Sequence, residues 1–168
     1  MSPDPIAATA EDAGTQAPTL AEAMRSFLDQ SLWANREWVE FVYSRPEPEV
    51  RPRELLSHIM VGERIWLERI DGPQRTDTFF PLLEKQPLLQ GLTENADRCR
   101  ALIDSCLELV VHFRRAGGEE YHARVADIIQ HLLTHGYHHR GQLAAHFAAR
   151  RLTYPNTDHI NYLIVNRL

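Results

Sequence analysis

From Thr19 onward, apolar residues return at helical spacing: Leu20, Met24, Phe27, Leu28, Leu32, Val39 and Val42. That period places them on one face of an α-helix. Thr19 with Glu22 three positions on is the signature of a capping box, and Pro46 and Pro48 stop the helix near Ser44. A second stripe, Leu55, Leu56, Ile59, Ile65, Trp66 and Ile70, predicts a helix over 53–71, with Pro52 tolerated in its first turn and Asp71-Gly72 as its stop. The next twenty residues hold Pro73, Pro81, Pro87 and Gly91, and the pattern resumes over 92–109 with Thr93 as the expected cap.

Val110 to Arg114 and Glu119 to His122 flank Gly117-Gly118, a spacing that predicts a short β-hairpin. Residues 124–150 then read as a long helix with no proline, and a last short helix is expected over 158–165 after Pro155. Four long helices and one hairpin give an all-α domain, a four-helix bundle. The linker between helices two and three exceeds what an antiparallel turn needs. Extended, twenty residues reach about 65 Å, enough to recross a helix of ~30 Å and start the next one parallel to its predecessor. The bundle is therefore expected to contain a long crossover there.

Residues 1–18 carry three acids, three prolines, no Lys or Arg and one large aliphatic, Ile6. Such a segment cannot supply a packed face and reads as a disordered tail, which leaves 19–168 as the one domain. With 168 residues and 43% hydrophobic content, the chain buries enough surface to fold without a disulfide or a structural metal. Cys99 and Cys106 lie seven apart on one expected helix, too far along its axis to bridge, and read as reduced thiols. A net charge of -5 argues against a phosphate-neutralising surface and so against nucleic acid. No apolar run is long enough for a membrane span, and the first twenty residues lack the features of a signal peptide, so the expectation is a cytoplasmic protein.

Chemistry enters with the histidines. Five of the nine, His131, His135, His138, His139 and His146, fall within sixteen residues on the fourth helix. At 100° per residue, positions 131, 135 and 139 climb one face, with Gln142 and His146 close to it. Two imidazoles four apart on a helix can share one metal ion, and a catalytic site needs a third protein ligand and an open position. His58 is the only histidine on another long helix, at the edge of its apolar stripe. A triad of His58, His135 and His139 follows, with His131 able to replace His135 or to hydrogen-bond to a ligand, and a core histidine bonded to a carbonyl as the alternative for His58. His138 points elsewhere on the helix, and His112, His122, His146 and His159 read as structural or exposed. Two facing imidazoles could also bind haem, but the adjacent His139 favours a bare ion.

The segment HGYHH lacks the glutamate of H-E-x-x-H, no E-x-x-H pair suggests a di-iron site, and no phosphate-cradling or nucleophile-elbow motif occurs. What the segment HLLTHGYHHRGQLAAHFAARRLTYPNTD does resemble is the signature of the DinB family, the DNA-damage-inducible proteins. That pattern is His, three residues, His, two residues, His-His-Arg-Gly-Gln, then a Pro and an Asp. LLSHIMVGERIWLERIDG resembles the second helix of the family and LDQSLWANREW the first, through Trp33 and Asn35, so that the resemblance extends over 20–165. It implies an up-down-down-up four-helix bundle, often a homodimer, in which a divalent metal is held by residues matching His58, His135 and His139. Thr134 stands where the family often has Asn, which implies altered bonding around the ligands. Relatives with a known reaction use low-molecular-weight thiols as co-substrates.

The site so read is that of a metal-dependent enzyme on a small-molecule substrate, with thiol S-transfer or hydrolysis as its chemistry. Zn, Ni and Fe all suit three imidazoles. Gln142 is placed to hydrogen-bond to a ligand or substrate, and Arg140 either to hold a carboxylate or to be a surface side chain. Gly141, costly inside a helix, suggests a close helix approach. The alternative is a non-catalytic metal-binding stress-response protein acting through a dimer surface, to which Trp33 and Trp38 could contribute, although Trp is also an ordinary core residue.

Overall fold

The computed structural model describes residues 17–72, 78–114 and 118–167. The expected tail, apart from its last two residues, and the tip of the expected hairpin lie outside them. The elements run α1 (Leu20–Tyr43), α2 (Val50–Asp71), α3 (Lys85–Ser105), β1 (Val110–Arg114), β2 (Glu120–Arg124), α4 (Val125–Ala148) and α5 (His159–Arg167). The fold is mostly helical with one small antiparallel hairpin.

The capping box at α1 is formed: Glu22 N donates to Thr19 Oγ1 at 3.2 Å, and Thr19 N donates to Glu22 Oε2 at 2.8 Å. Two helix starts differ from the sequence reading. α2 begins at Val50, three residues early, because Pro52 sits in the first turn, where a missing N–H costs nothing. α3 begins at Lys85 instead of 92 and ends at Ser105 instead of 109. Its Pro87 is likewise in the first turn, while Gly91 lies inside the helix because the backbone there closes on Met60; a Cβ would sit 2.7 Å from the Met60 sulfur. Thr93 is no cap, since its hydroxyl donates back to Leu89 O at 2.8 Å. The linker between α2 and α3 therefore spans 72–84. Cys106, expected on this helix, is its C-cap.

α1 and α2 each pack against both α3 and α4, and the shared core holds Trp38, Leu55, Ile59, Leu88, Ile129, Leu143 and Phe147. Each large apolar side chain so enclosed is worth roughly 1.5–3 kcal/mol. Surface ion pairs mark how the helices run past one another. Arg25 meets Asp104, Arg100 meets Asp29 and Lys85 meets Glu40 between α1 and α3. Between α2 and α3, Asn95 Nδ2 donates to Met60 O at 2.9 Å and Arg98 pairs with Asp71.

After α4 the chain folds back over α1. Thr157 is gripped by two α1 side chains: Gln30 Nε2 donates to its carbonyl at 2.7 Å and Trp38 Nε1 to its hydroxyl at 3.1 Å. Trp38 is thereby enclosed, stacked near Phe147 and Tyr154, and Trp33 is half-buried against Tyr162 of α5. Trp38 is thus core, not the interface residue suggested by the sequence. Among the described residues, no helix is long and apolar enough to cross a membrane.

Candidate metal centre

α2 and α4 pack together, and their contact is where the histidines meet. His58, on the second turn of α2 after Pro52, faces His135 and His139, one turn apart on α4. The Nε2 atoms of His58 and His135 are 3.2 Å apart, and those of His135 and His139 are 3.0 Å apart. One nitrogen from each ring lies within 4.8 Å of the others. Three nitrogens at 2.0–2.1 Å from an ion in tetrahedral geometry would stand about 3.3 Å apart, so the spacing suits ligation.

The outer nitrogens decide what the inner ones offer. His58 Nδ1 lies 2.7 Å from the Phe79 carbonyl oxygen, which can only accept, so in the ligating form of that ring the proton is on Nδ1. His139 Nδ1 lies 3.0 Å from Gln142 Oε1, and the amide nitrogen of Gln142 reaches His138 Nε2, also at 3.0 Å, which orients the amide with its oxygen toward His139. Both rings then aim an Nε2 lone pair at His135 Nε2. One proton on that atom could satisfy only one of them. Three convergent imidazoles, two of them with their far sides anchored, suit a cation, and those outer hydrogen bonds are of the kind that fix metal-binding imidazoles.

Burial first, then the neighbouring His139 and His58 rings, push His135 down to about 4. Burial lowers His139 as well, against the raising effect of its bond to Gln142. Neutral imidazole is the ligating form. Phe80 stacks on His58 with ring centroids 4.1 Å apart and closes one flank. The other flank depends on Gly62, one turn after His58. A Cβ there would lie 3.1 Å from His135 Cε1, so a bare backbone lets that edge of the ring approach α2.

Of the remaining sequence candidates, His131 is outside the cluster, exposed, with its ring against the edge of Trp66. Thr134 Oγ1 donates to Gln130 O and His131 O in its own helix, which directs its hydrogen bonding to the backbone. Arg140 differs most from expectation. It is 4% exposed rather than on the surface, and its guanidinium lies between α4 and α1, donating from Nη1 to Asn35 Oδ1 at 2.6 Å and to Ser31 Oγ at 3.2 Å. A Cβ on Gly141 would meet nothing within 4 Å, so no close approach explains that glycine.

Sequence reasoning did not single out Gly62, Phe79 or Phe80. The H-x-x-x-G spacing of His58 and Gly62 is a signal for the first, whereas the carbonyl of Phe79 leaves none. Glu63 borders a cavity of about 10 Å³, room for about one water, lined also by Ser31, Asn35 and Cys99. Asn95 Nδ2 donates to its carboxyl at 3.2 Å. Burial pushes Glu63 up to about 7 and the Cys99 thiol up to about 12.

A helical fold with three convergent imidazoles defines a candidate metal-binding protein. The DinB family model matches residues 41–163, and the chain belongs to the DinB family. The match starts near the end of α1, so the resemblance read there through Trp33 and Asn35 is outside it. No curated protein and no solved structure matches the chain.

Proposed function

We propose that this chain is a metal-dependent enzyme acting on a small-molecule electrophile, by S-transfer from a low-molecular-weight thiol or by hydrolysis. The observation that carries the reading is the convergence of the His58, His135 and His139 Nε2 atoms while Phe79 and Gln142 hold two of the outer nitrogens. When bound there, one divalent ion, Zn, Ni or Fe, supplies the Lewis acidity that makes a water or thiol nucleophilic at neutral pH. The chain's own residues do the rest. Phe79 and Gln142 fix ring tautomer and tilt, Gly62 lets His135 approach, and the Phe80 ring keeps water from one side of His58. Arg140 serves α1–α4 packing, and Gln142 serves the site through His139 and not by touching substrate.

The same reading takes the four long helices as an up-down-down-up bundle. Support comes from the order of contacts, which advance together along α2 and α3 (Met60 with Asn95, Asp71 with Arg98) and in opposite directions along α1 and α3 (Arg25 with Asp104, Glu40 with Lys85). We place the protein in the cytoplasm as a homodimer. The exposed apolar side chains Leu20, Phe27, Ile160, Ile164 and Val165 offer the surface for a second copy, and they equally favour the alternative of a non-catalytic metal-binding stress-response protein. Turnover of a reactive electrophile with a panel of thiols, at full metal loading, separates the two. Thiol-dependent turnover that is lost in His58→Ala supports the enzyme, and no turnover with any thiol or with water supports the binding protein.

A further inference from the structure

The hairpin brings a second pair of imidazoles together, away from the triad. β1 and β2 pair antiparallel with His112 directly opposite His122, and both side chains are exposed. Just beyond the Val110 and Arg124 pair, Val125 N donates to Leu109 O at 2.9 Å, which marks a hydrogen-bonded position. Such positions alternate along an antiparallel ladder, so Val111 and Ala123 form the next one, and His112 and His122 fall on a non-hydrogen-bonded pair. There the opposed Cα atoms approach to about 4.5 Å and the side chains come closest.

The two ring centroids are 5.9 Å apart at 38°. Within the triad they are 4.4–5.0 Å apart, so these two exposed rings must close by about 1 to 1.5 Å to share an ion, a change that side-chain rotamers on one face of a non-hydrogen-bonded pair allow. The surroundings favour a cation. Arg114 and Arg124, the neighbouring charges on the same face, are each matched by a carboxylate, Glu120 at 2.5 Å and Glu108 at 3.8 Å. The opposite face of the hairpin is anchored by Phe113 against Trp66, which holds the two strands as one platform.

We infer that His112 and His122 form a second, solvent-facing site for a late first-row divalent cation, with water completing its coordination. Two imidazoles on one edge suit Cu(II), Ni(II) and Zn(II), in the order expected for nitrogen ligands. The site is independent of the triad in residues and in element.

Ni(II) is the suitable probe because it leaves the Cys106 thiol unoxidised. Equilibrium dialysis of the full chain against Ni(II) counts bound equivalents in the parent, His112→Ala, His122→Ala and His139→Ala proteins. The parent is expected to bind two. Each hairpin variant should lose the same equivalent, with that site weakened at least about tenfold when one of two linked ligands is removed, and should keep the triad equivalent. His139→Ala should show the reverse. The Trp66 share of the emission, isolated in a protein carrying Trp33→Phe and Trp38→Phe, reports that the hairpin remains docked. Unchanged stoichiometry in either hairpin variant overturns the site, as does loss in only one of them. Should the parent bind a single equivalent that His122→Ala abolishes, the hairpin site stands and the triad reading fails.

Discussion

Gln142 binds His139 and His138 at once, its carbonyl oxygen accepting from His139 Nδ1 at 3.0 Å while its amide nitrogen reaches His138 Nε2 at 3.0 Å. A single amide thus fixes which nitrogen of His139 faces His58 and His135. Removing it with Gln142→Ala leaves His139 in place but free to choose its tautomer. Metal affinity is expected to fall 10- to 100-fold, the usual cost of losing a ligand's hydrogen-bond partner, with helical circular dichroism unchanged. Titration against a chelator of known affinity measures this, and an unchanged Kd would show that Gln142 does not orient the ligand.

The approach of α4 to α2 depends on Gly62. Gly62→Ala places a methyl group 3.1 Å from His135 Cε1, and His135 cannot yield without leaving the other two imidazoles. Metal affinity should drop at least about tenfold. Gly141→Ala is the internal comparison, because a Cβ there meets nothing within 4 Å. It should leave affinity alone and raise stability by up to about 1 kcal/mol through helix propensity. Equal effects of the two substitutions on affinity would contradict the packing argument.

Between α4 and α1, Asn35 Oδ1 is the closer acceptor of the buried Arg140 guanidinium, at 2.6 Å. Arg140 Nη2 has no hydrogen-bond partner among the described residues, and the guanidinium otherwise lies over the Tyr137 ring at 4.7 Å, so Asn35 and Ser31 carry its hydrogen bonding. Asn35→Ala should destabilise the fold by about 3 kcal/mol, the range seen when a buried charge loses its partner. The readout is the denaturant midpoint at constant slope, and a shift worth under about 1 kcal/mol would place Arg140 nearer to solvent than its 4% exposure indicates.

Glu63 gives stability a pH dependence of known sign. Its carboxyl is pushed up to about 7 in the folded chain by burial, against a lowering effect of Asn95 and Arg140, while an unfolded glutamate titrates near 4.3. At low pH both states carry the proton and burial costs nothing electrostatic. As pH rises from about 4 to 7 the unfolded state ionises first, so stability falls, by at most about 4 kcal/mol, and levels off above the folded value. Glu63→Gln keeps an oxygen for Asn95 Nδ2 and removes that slope. The parent-minus-variant difference in unfolding free energy should therefore decline across this window, and a flat difference would show that Glu63 is solvated.

How far the sequence carried these conclusions depends on what each feature needs. All five helices were legible, the four long ones because their apolar stripes repeat over several turns and the last because Pro155 precedes it, and the hairpin because Gly117-Gly118 punctuates two β-prone runs. α3 was misplaced by seven residues at its start because Pro87 and Gly91 read as breakers. In the fold, one sits where no N–H is needed and the other where Met60 leaves no room for a side chain. The triad was legible from spacing on one helix plus a lone histidine on another. Its supports were not, since the Phe79 carbonyl is backbone and Gly62 matters only through a neighbour 73 positions away. Arg140 follows a histidine pair on an otherwise polar stretch, and nothing local signals that Ser31 and Asn35 receive it.

The most direct test of the account is elemental analysis of tag-free protein that has never met a nickel column, with His58→Ala and His139→Ala in parallel and Zn, Ni and Fe offered in turn. About one tightly bound divalent ion in the parent, lost in both variants while helical circular dichroism persists, is the expected result. A parent that takes up no ion tightly, or variants that retain it, would contradict the three-histidine centre.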